Sequence, residues 1–143
     1  MKTSQRGIDM IKVFEALRLN AYPDSGGVWT IGYGTTVVNG IKVKMGDVCT
    51  KEQSETYLKS DLLRFEIAIS KVLKVPVSQN QFDAMVSLWY NTGGSRTITE
   101  LINTNTKKET IAMWWKSHYI TAKGKVLNGL IMRREKEAEL FIA

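Results

Sequence analysis

The stretch over residues 15–36, EALRLNAYPDSGGVWTIGYGTT, limits the fold more than any other part of the chain. It starts on the last turn of an amphipathic helix, breaks at Pro23, turns through Ser25-Gly26-Gly27 and re-forms as a β-branched and aromatic run around Trp29-Thr30-Ile31. Glu15 from a helix end, Asp24 from a turn and Thr30 from a strand are thereby expected in one region. Stability alone seldom calls for such an arrangement.

The flanking segments read as helix. Thr3 or Ser4 is a candidate N-cap, and Ile8, Ile11, Phe14 and Leu17 recur at near-helical spacing up to Arg18, which puts Glu15 on the final turn. Residues 20–43 read as short strands, with Asn39-Gly40 between Val37-Val38 and Ile41-Lys42-Val43 a two-residue hairpin signal, so a three-stranded antiparallel sheet is expected. Thr50-Lys51-Glu52-Gln53 has the form of a capping box, and Tyr57, Leu58, Asp61, Leu62, Phe65, Ile69 and Leu73 carry a long helix to just before Pro76. Ser78-Gln79-Asn80-Gln81 opens another helix, with Phe82, Met85, Leu88 and Trp89 available for burial and Gly93-Gly94 closing it. Shorter helices are expected over 97–103 and 107–117, an irregular segment over 119–127, and a last helix over 128–141. The fold class is α+β, mostly helical, in a single domain over 1–143. An amino-terminal lobe (about 15–58 plus the first helix) is joined by the long helix to an all-helical lobe (about 76–143), with a groove between them for an extended ligand.

A chain of 143 residues can bury roughly two thirds of its unfolded surface, enough for a proper core. Twenty Lys and Arg against fourteen Asp and Glu give a net charge of +6, which favours a polyanionic partner. No aromatic-interleaved basic groove motif argues for nucleic acid. The one cysteine, Cys49, excludes an internal disulfide. The amino terminus lacks a signal-type apolar segment, and the longest purely apolar run, 111–115, is too short to span a bilayer.

Glycosidic hydrolysis needs a protonated carboxyl for the leaving oxygen and a second carboxylate to activate water or stabilise the cationic sugar. Glu15, at a helix end among apolar neighbours, suits the acid role through partial burial; Asp24, in a polar turn, suits the ionised role. The Thr30 hydroxyl, with one donor and two lone pairs, can fix a water against Asp24. Carboxylates at this spacing are nevertheless common as solvated charges and turn formers.

The segment Glu15-Ala16-Leu17-Arg18-Leu19-Asn20-Ala21-Tyr22-Pro23-Asp24 followed by Gly27-Val28-Trp29-Thr30-Ile31-Gly32-Tyr33-Gly34-Thr35-Thr36 resembles the active-site signature of the phage-type lysozyme family of glycoside hydrolases, the bacteriophage endolysins. A Glu, an Asp nine positions on and a Thr six further match it, with T-I-G-Y-G following. Two later stretches, 81–93 and 124–135, resemble the family in the same order. The resemblance implies a lysozyme-like fold and hydrolysis of the β-1,4 bond between N-acetylmuramic acid and N-acetylglucosamine in bacterial peptidoglycan, with no metal or organic cofactor. It makes Glu15 the general acid, Asp24 the carboxylate that activates water, and Thr30 the residue holding that water. It further implies that Asn91 contacts a sugar acetamido or hydroxyl group, that Gly34 lets the glycan approach closely, and that Arg133 steadies Glu15 or the substrate. It also implies a protein of the host cytoplasm that reaches the wall through a holin; with no self-complementary stripe and no membrane-disrupting cationic helix in the sequence, a monomer without stable membrane insertion is expected. Two departures stand out: Gly94-Ser95-Arg96-Thr97 is shorter and more polar than the family's loop, and Asn128 occupies a position that is often proline.

Other readings compete. A lytic transglycosylase cuts the same bond with one carboxylic acid, but needs neither Asp24 nor Thr30 for an activated water. A catalytically silent wall-binding or membrane-active module would keep the fold without turnover. Cys49 and His118 could form a thiol and base pair, although a buried inert thiol is the simpler state. Trp114, Trp115 and Tyr119 read as core more than as sugar platforms, and the mixed signs over 132–137 read as a solvated helix face.

Overall fold

The computed structural model describes residues 1–143. Its elements in chain order are α1 (Gln5–Phe14), β1 (Arg18–Pro23), β2 (Trp29–Gly32), β3 (Val37–Val38), β4 (Ile41–Lys42), α2 (Lys51–Val72), α3 (Gln79–Thr92), α4 (Arg96–Asn103), α5 (Lys108–Lys116), β5 (Thr121–Ala122), β6 (Lys125–Val126) and α6 (Asn128–Ile142). The chain is α+β and mostly helical, and no helix is long and apolar enough to cross a membrane. Two compact units emerge, Asp9–Arg64 on the one hand and Met1–Ile8 with Phe65–Ala143 on the other. Both α1 and α2 run through the boundary.

In the Asp9–Arg64 unit the expected three-stranded sheet is replaced by two separate antiparallel pairs, β1 with β2 and β3 with β4. Two local features cause this. Between Arg18 and Tyr22 the β1 register shifts, and Ala21 N–H and Leu19 C=O turn instead to Asp47 C=O and Cys49 N–H. After β2, Gly32 and Gly34 take positive φ (67° and 102°) and fold the chain back, so Ile31 and Thr35 bond each other on both sides of a tight loop. β3 and β4 pair through Asn39-Gly40, both residues at positive φ as a type I′ turn demands. Ile31, Val43 and Cys49 form the buried cluster beneath, packed by Ala21, Trp29, Val38 and Tyr57. The capping box opening α2 is present: Thr50 Oγ1 accepts from Gln53 N–H at 3.0 Å and Gln53 Oε1 from Thr50 N–H at 2.8 Å.

The other unit is built around α3, in which every residue from Phe82 to Trp89 is buried. Ser78 and Gln81 cap its start reciprocally, and Gly93 in the left-handed region closes its end. Trp115 of α5 and Phe141 of α6 meet with ring centroids 5.3 Å apart. Segment 119–127, expected to be irregular, contains the β5–β6 hairpin, with Lys123-Gly124 at its turn and both at positive φ. Lysine is an uncommon first residue for that turn, and all of the hairpin is exposed, so no apolar alternation announces it.

The amino terminus is tied to this unit by two buried carboxylates. Glu66 Oε2 accepts from Thr3 N–H and Oγ1–H at 2.7 and 2.6 Å. Asp83, fully buried, accepts from Ser4 N–H at 2.9 Å, from the Ser4 hydroxyl, and from Gln79 Nε2 at 2.8 Å. Gly7 is glycine because α1 passes so close here: a Cβ would lie 2.7 Å from Asp83 Cγ.

Candidate active site

Glu15, Asp24, Thr30 and Gly34 all belong to the Asp9–Arg64 unit. Glu15 is the residue after α1, partly buried, its N–H still bonded to Ile11 C=O at 2.9 Å; it leads through two residues into β1. Asp24 follows the other end of β1 and organises the turn to β2. Its N–H donates to Val28 C=O, and its carboxylate Oδ1 accepts from Gly26 N–H at 2.8 Å and Val28 N–H at 2.9 Å. This is an Asx-type turn, in which the side chain replaces a backbone acceptor. Both bonds fall on Oδ1, so Oδ2 of this exposed residue carries no hydrogen bond from the protein.

Thr30 is opposite Tyr22 in the ladder, with Asp24 opposite Val28 by its backbone bond. Side chains alternate along each strand, so Asp24 and Thr30 share a face as diagonal neighbours. Thr30 is buried, and its hydroxyl donates to Val28 C=O at 2.9 Å. Its one donor is thus committed and its two lone pairs remain as acceptors. Gly34 is exposed at φ 102°, a conformation that a side chain would strain.

Several supporting residues escape a reading by motif. Thr35 donates to Asp61 Oδ2 at 2.7 Å, and Lys12 Nζ lies 5.6 Å from the buried Tyr33 ring and 3.6 Å from Glu55. Together these pin the loop after β2 from α1 and α2. Burial raises the Asp61 carboxyl above its ordinary value, while the Thr35 bond and the Arg64 charge lower it. Its place in the apolar series of α2 was the available signal. The Arg18 guanidinium covers the Tyr22 ring at 4.3 Å, bringing a permanent cation beside Thr30's cross-strand neighbour. Cys49 is buried, with Sγ 3.2 Å from Ser54 Oγ, as an inert thiol of the core.

Asn91 and Arg133 belong to the helical unit. The solvated face expected over 132–137 is found only at Met132, Glu135 and Lys136, which are exposed; Arg133, Arg134 and Glu137 are buried. Glu137 Oε2 accepts from Ser87 Oγ at 2.5 Å, Arg133 Nε at 3.2 Å and Arg134 Nη2 at 3.3 Å, and Oε1 from Trp115 Nε1 at 3.1 Å. Arg133 Nη2 also donates to Ser87 C=O at 3.1 Å. Arg134 Nε is 2.8 Å from Glu137 Oε1 as an ion pair, but its N–H is misdirected and makes no hydrogen bond. Burial draws the Arg134 guanidinium below its usual range, against the opposing pull of Glu137. Arg134 Nη2 donates to Asn91 Oδ1 at 2.7 Å, so Asn91 is anchored at the exposed end of α3. A sequence of alternating signs does not reveal this burial, because the partners lie on α3 and α5. Trp115 is core as expected, whereas Trp114 is half-buried and stacked on His118 at 3.7 Å.

A carboxylate fixed by a turn, a hydroxyl acceptor on the same face and a second carboxylate at the adjoining helix end are the equipment of a glycosidase. The chain belongs to the phage lysozyme family, whose model, described as "Phage lysozyme", matches residues 12–137. It is 37% identical over 147 residues to an endolysin of Acyrthosiphon pisum secondary endosymbiont phage 1, covering 99% of this chain and 98% of that one. Among solved structures, an endolysin from Escherichia coli O157:H7 phage FAHEc1 is 43% identical with a TM-score of 0.84, over 99% of this chain and 94% of that one. The muramidase domain of SpmX from Asticaccaulis excentricus is 32% identical with a TM-score of 0.89, over 99% and 98%. The chain is an endolysin of the lysozyme type, a glycosidase that degrades peptidoglycan.

Proposed function

We propose that the chain is a muramidase that hydrolyses the β-1,4 bond between N-acetylmuramic acid and N-acetylglucosamine, with Glu15 as general acid, Asp24 as general base and Thr30 as water holder. The observation that carries the reading is the division of hydrogen bonds at the hairpin. Asp24 spends Oδ1 on two backbone N–H groups and keeps Oδ2, while Thr30 spends its donor and keeps its lone pairs. A water between them can therefore only donate, one hydrogen to Asp24 Oδ2 and one to Thr30 Oγ1. Its own lone pairs are left to attack the anomeric carbon. As the new C–O bond forms, the proton passes to Asp24 while Glu15 gives its proton to the departing oxygen. Asn91, Gly34 and Arg133 bind the glycan in this reading. Displacement in one step inverts the anomeric centre, so the first product of the β-linked glycan has α configuration.

The reading is tested by mass analysis and anomer analysis of the products from bare peptidoglycan, with Glu15→Gln in parallel. Reducing N-acetylmuramic acid ends from the unaltered protein alone support it. Anhydro ends turn the answer to a transglycosylase, and products from neither protein to a silent wall-binding module. The protein acts as a monomer and gains the wall from the host cytoplasm through a holin in the same reading. Sedimentation tests the first, and lysis with and without a co-expressed holin the second.

A further inference from the structure

The guanidinium of Arg134 has no solvent exposure and is divided among three segments of the helical unit. It faces Glu137 on its own helix, Tyr119 C=O at 3.3 Å through Nη1, and Asn91 Oδ1 at 2.7 Å through Nη2. Tyr119 sits at φ 58°, in the left-handed region that disfavours its side chain, and its phenol is 2.9 Å from Ser95 Oγ, the N-cap of α4. Arg134 therefore joins the end of α3, the turn into α4 and the segment after α5. Lysine could not do this, since one ammonium lacks the planar fork that reaches separate acceptors.

The bond to Asn91 has a chemical consequence. A guanidinium donates only, so the amide atom that faces it must be the oxygen; rotating the amide would set N–H against N–H. The side chain of the exposed Asn91 makes no other hydrogen bond within the protein, and its Nδ2 keeps both donors for solvent or ligand. We propose that Arg134 is a positioning residue that locks the Asn91 amide as a donor, so that Asn91 selects a carbonyl oxygen of the glycan's acetamido groups over a hydroxyl. A carbonyl only accepts, whereas a hydroxyl that accepts from Asn91 has to turn its own hydrogen toward another acceptor. The inference rests on the muramidase reading, because it takes the glycan as the ligand of Asn91.

Asn91→Asp keeps an oxygen for Arg134 and replaces the donor by an acceptor. The expected result is a KM for soluble glycan fragments raised about tenfold, the value of one lost hydrogen bond, with kcat and the thermal midpoint near those of the unaltered protein. Arg134→Lys is expected to raise KM similarly, and the double variant no further than Arg134→Lys alone. Where Arg134→Lys does not fold, the Asn91 side-chain amide signals of the unaltered protein decide. They are expected as one sharp pair that shifts on adding N-acetylglucosamine oligomers and not glucose oligomers. An unchanged KM in Asn91→Asp, equal shifts with both oligomers, no shift with either, or amide signals averaged by flipping overturns the proposal. Release of reducing muropeptides by the unaltered protein alongside such a result separates this failure from failure of the muramidase reading.

Discussion

Asp24 and Glu137 are both carboxylates held by several donors, one in each unit. Glu137 is completely buried, and both of its oxygens are taken by Ser87, Trp115 and the two arginines. Asp24 is exposed and has only one oxygen taken. A carboxylate whose lone pairs the protein has saturated can hold structure but cannot receive a proton without loss of its bonds. One held through a single oxygen is oriented and still open to chemistry. The net charge divides along the same line. Residues 9–64 carry seven basic and seven acidic side chains, so the remaining thirteen against seven supply all of the +6.

The contrast is broken most directly by removing each charge at constant shape. Asp24→Asn keeps the Oδ1 acceptor of the turn and removes the base of the proposed mechanism. Muropeptide release is expected to fall about 10²–10⁴-fold, with a stability change under about 0.5 kcal/mol; a large drop in unfolding midpoint instead would make Asp24 structural like Glu137. Glu137→Gln leaves the buried Arg134 guanidinium short of its counter-charge. It is expected to cost about 3–5 kcal/mol in denaturant unfolding, and a variant as stable as the parent would remove the distinction drawn above.

A smaller effect is expected where α1 meets Asp83. Gly7→Ala gains up to about 1 kcal/mol in helix propensity, but its Cβ would sit 2.7 Å from Asp83 Cγ, and overpacking of this kind costs about 1–3 kcal/mol. Net destabilisation is expected, whereas Gly129→Ala in α6, where an added Cβ meets nothing, is expected to stabilise by a few tenths. Equal midpoints for the two variants would contradict the close approach. The smallest effect concerns Asp61, whose folded carboxyl is raised by burial. The folded state then binds more protons than the unfolded one above the ordinary carboxyl value. Stability relative to Asp61→Asn should therefore decline as pH rises from that value to the raised one, and level off beyond it. A difference that grows in favour of the unaltered protein over that window would reverse the sign.

Local signals read correctly wherever a few adjacent residues settle their own bonds. The capping boxes at Thr50 and Ser78, the Gly93 stop and the Asn39-Gly40 turn are of this kind. The residue motif around Glu15, Asp24 and Thr30 was legible too, and with it the family. The β5–β6 hairpin was not, because Lys123 supplies an unusual turn residue on exposed strands. The three-stranded sheet failed because pairing of β1 depends on Asp47 and Cys49, residues far along the chain that no local pattern points to.

The sequence by itself determined which segments are helical, where strands interrupt them and which family signature the chain carries, since these follow from neighbours within a few residues. Tertiary structure alone decided that Asp24 keeps one oxygen open beside a Thr30 that can only accept, and that Arg133, Arg134 and Glu137 are buried. Both outcomes turn on which donors arrive from other turns of the chain. Hydrogen-bond capacity is a property of the residue, but how much of it is already spent is a property of the fold.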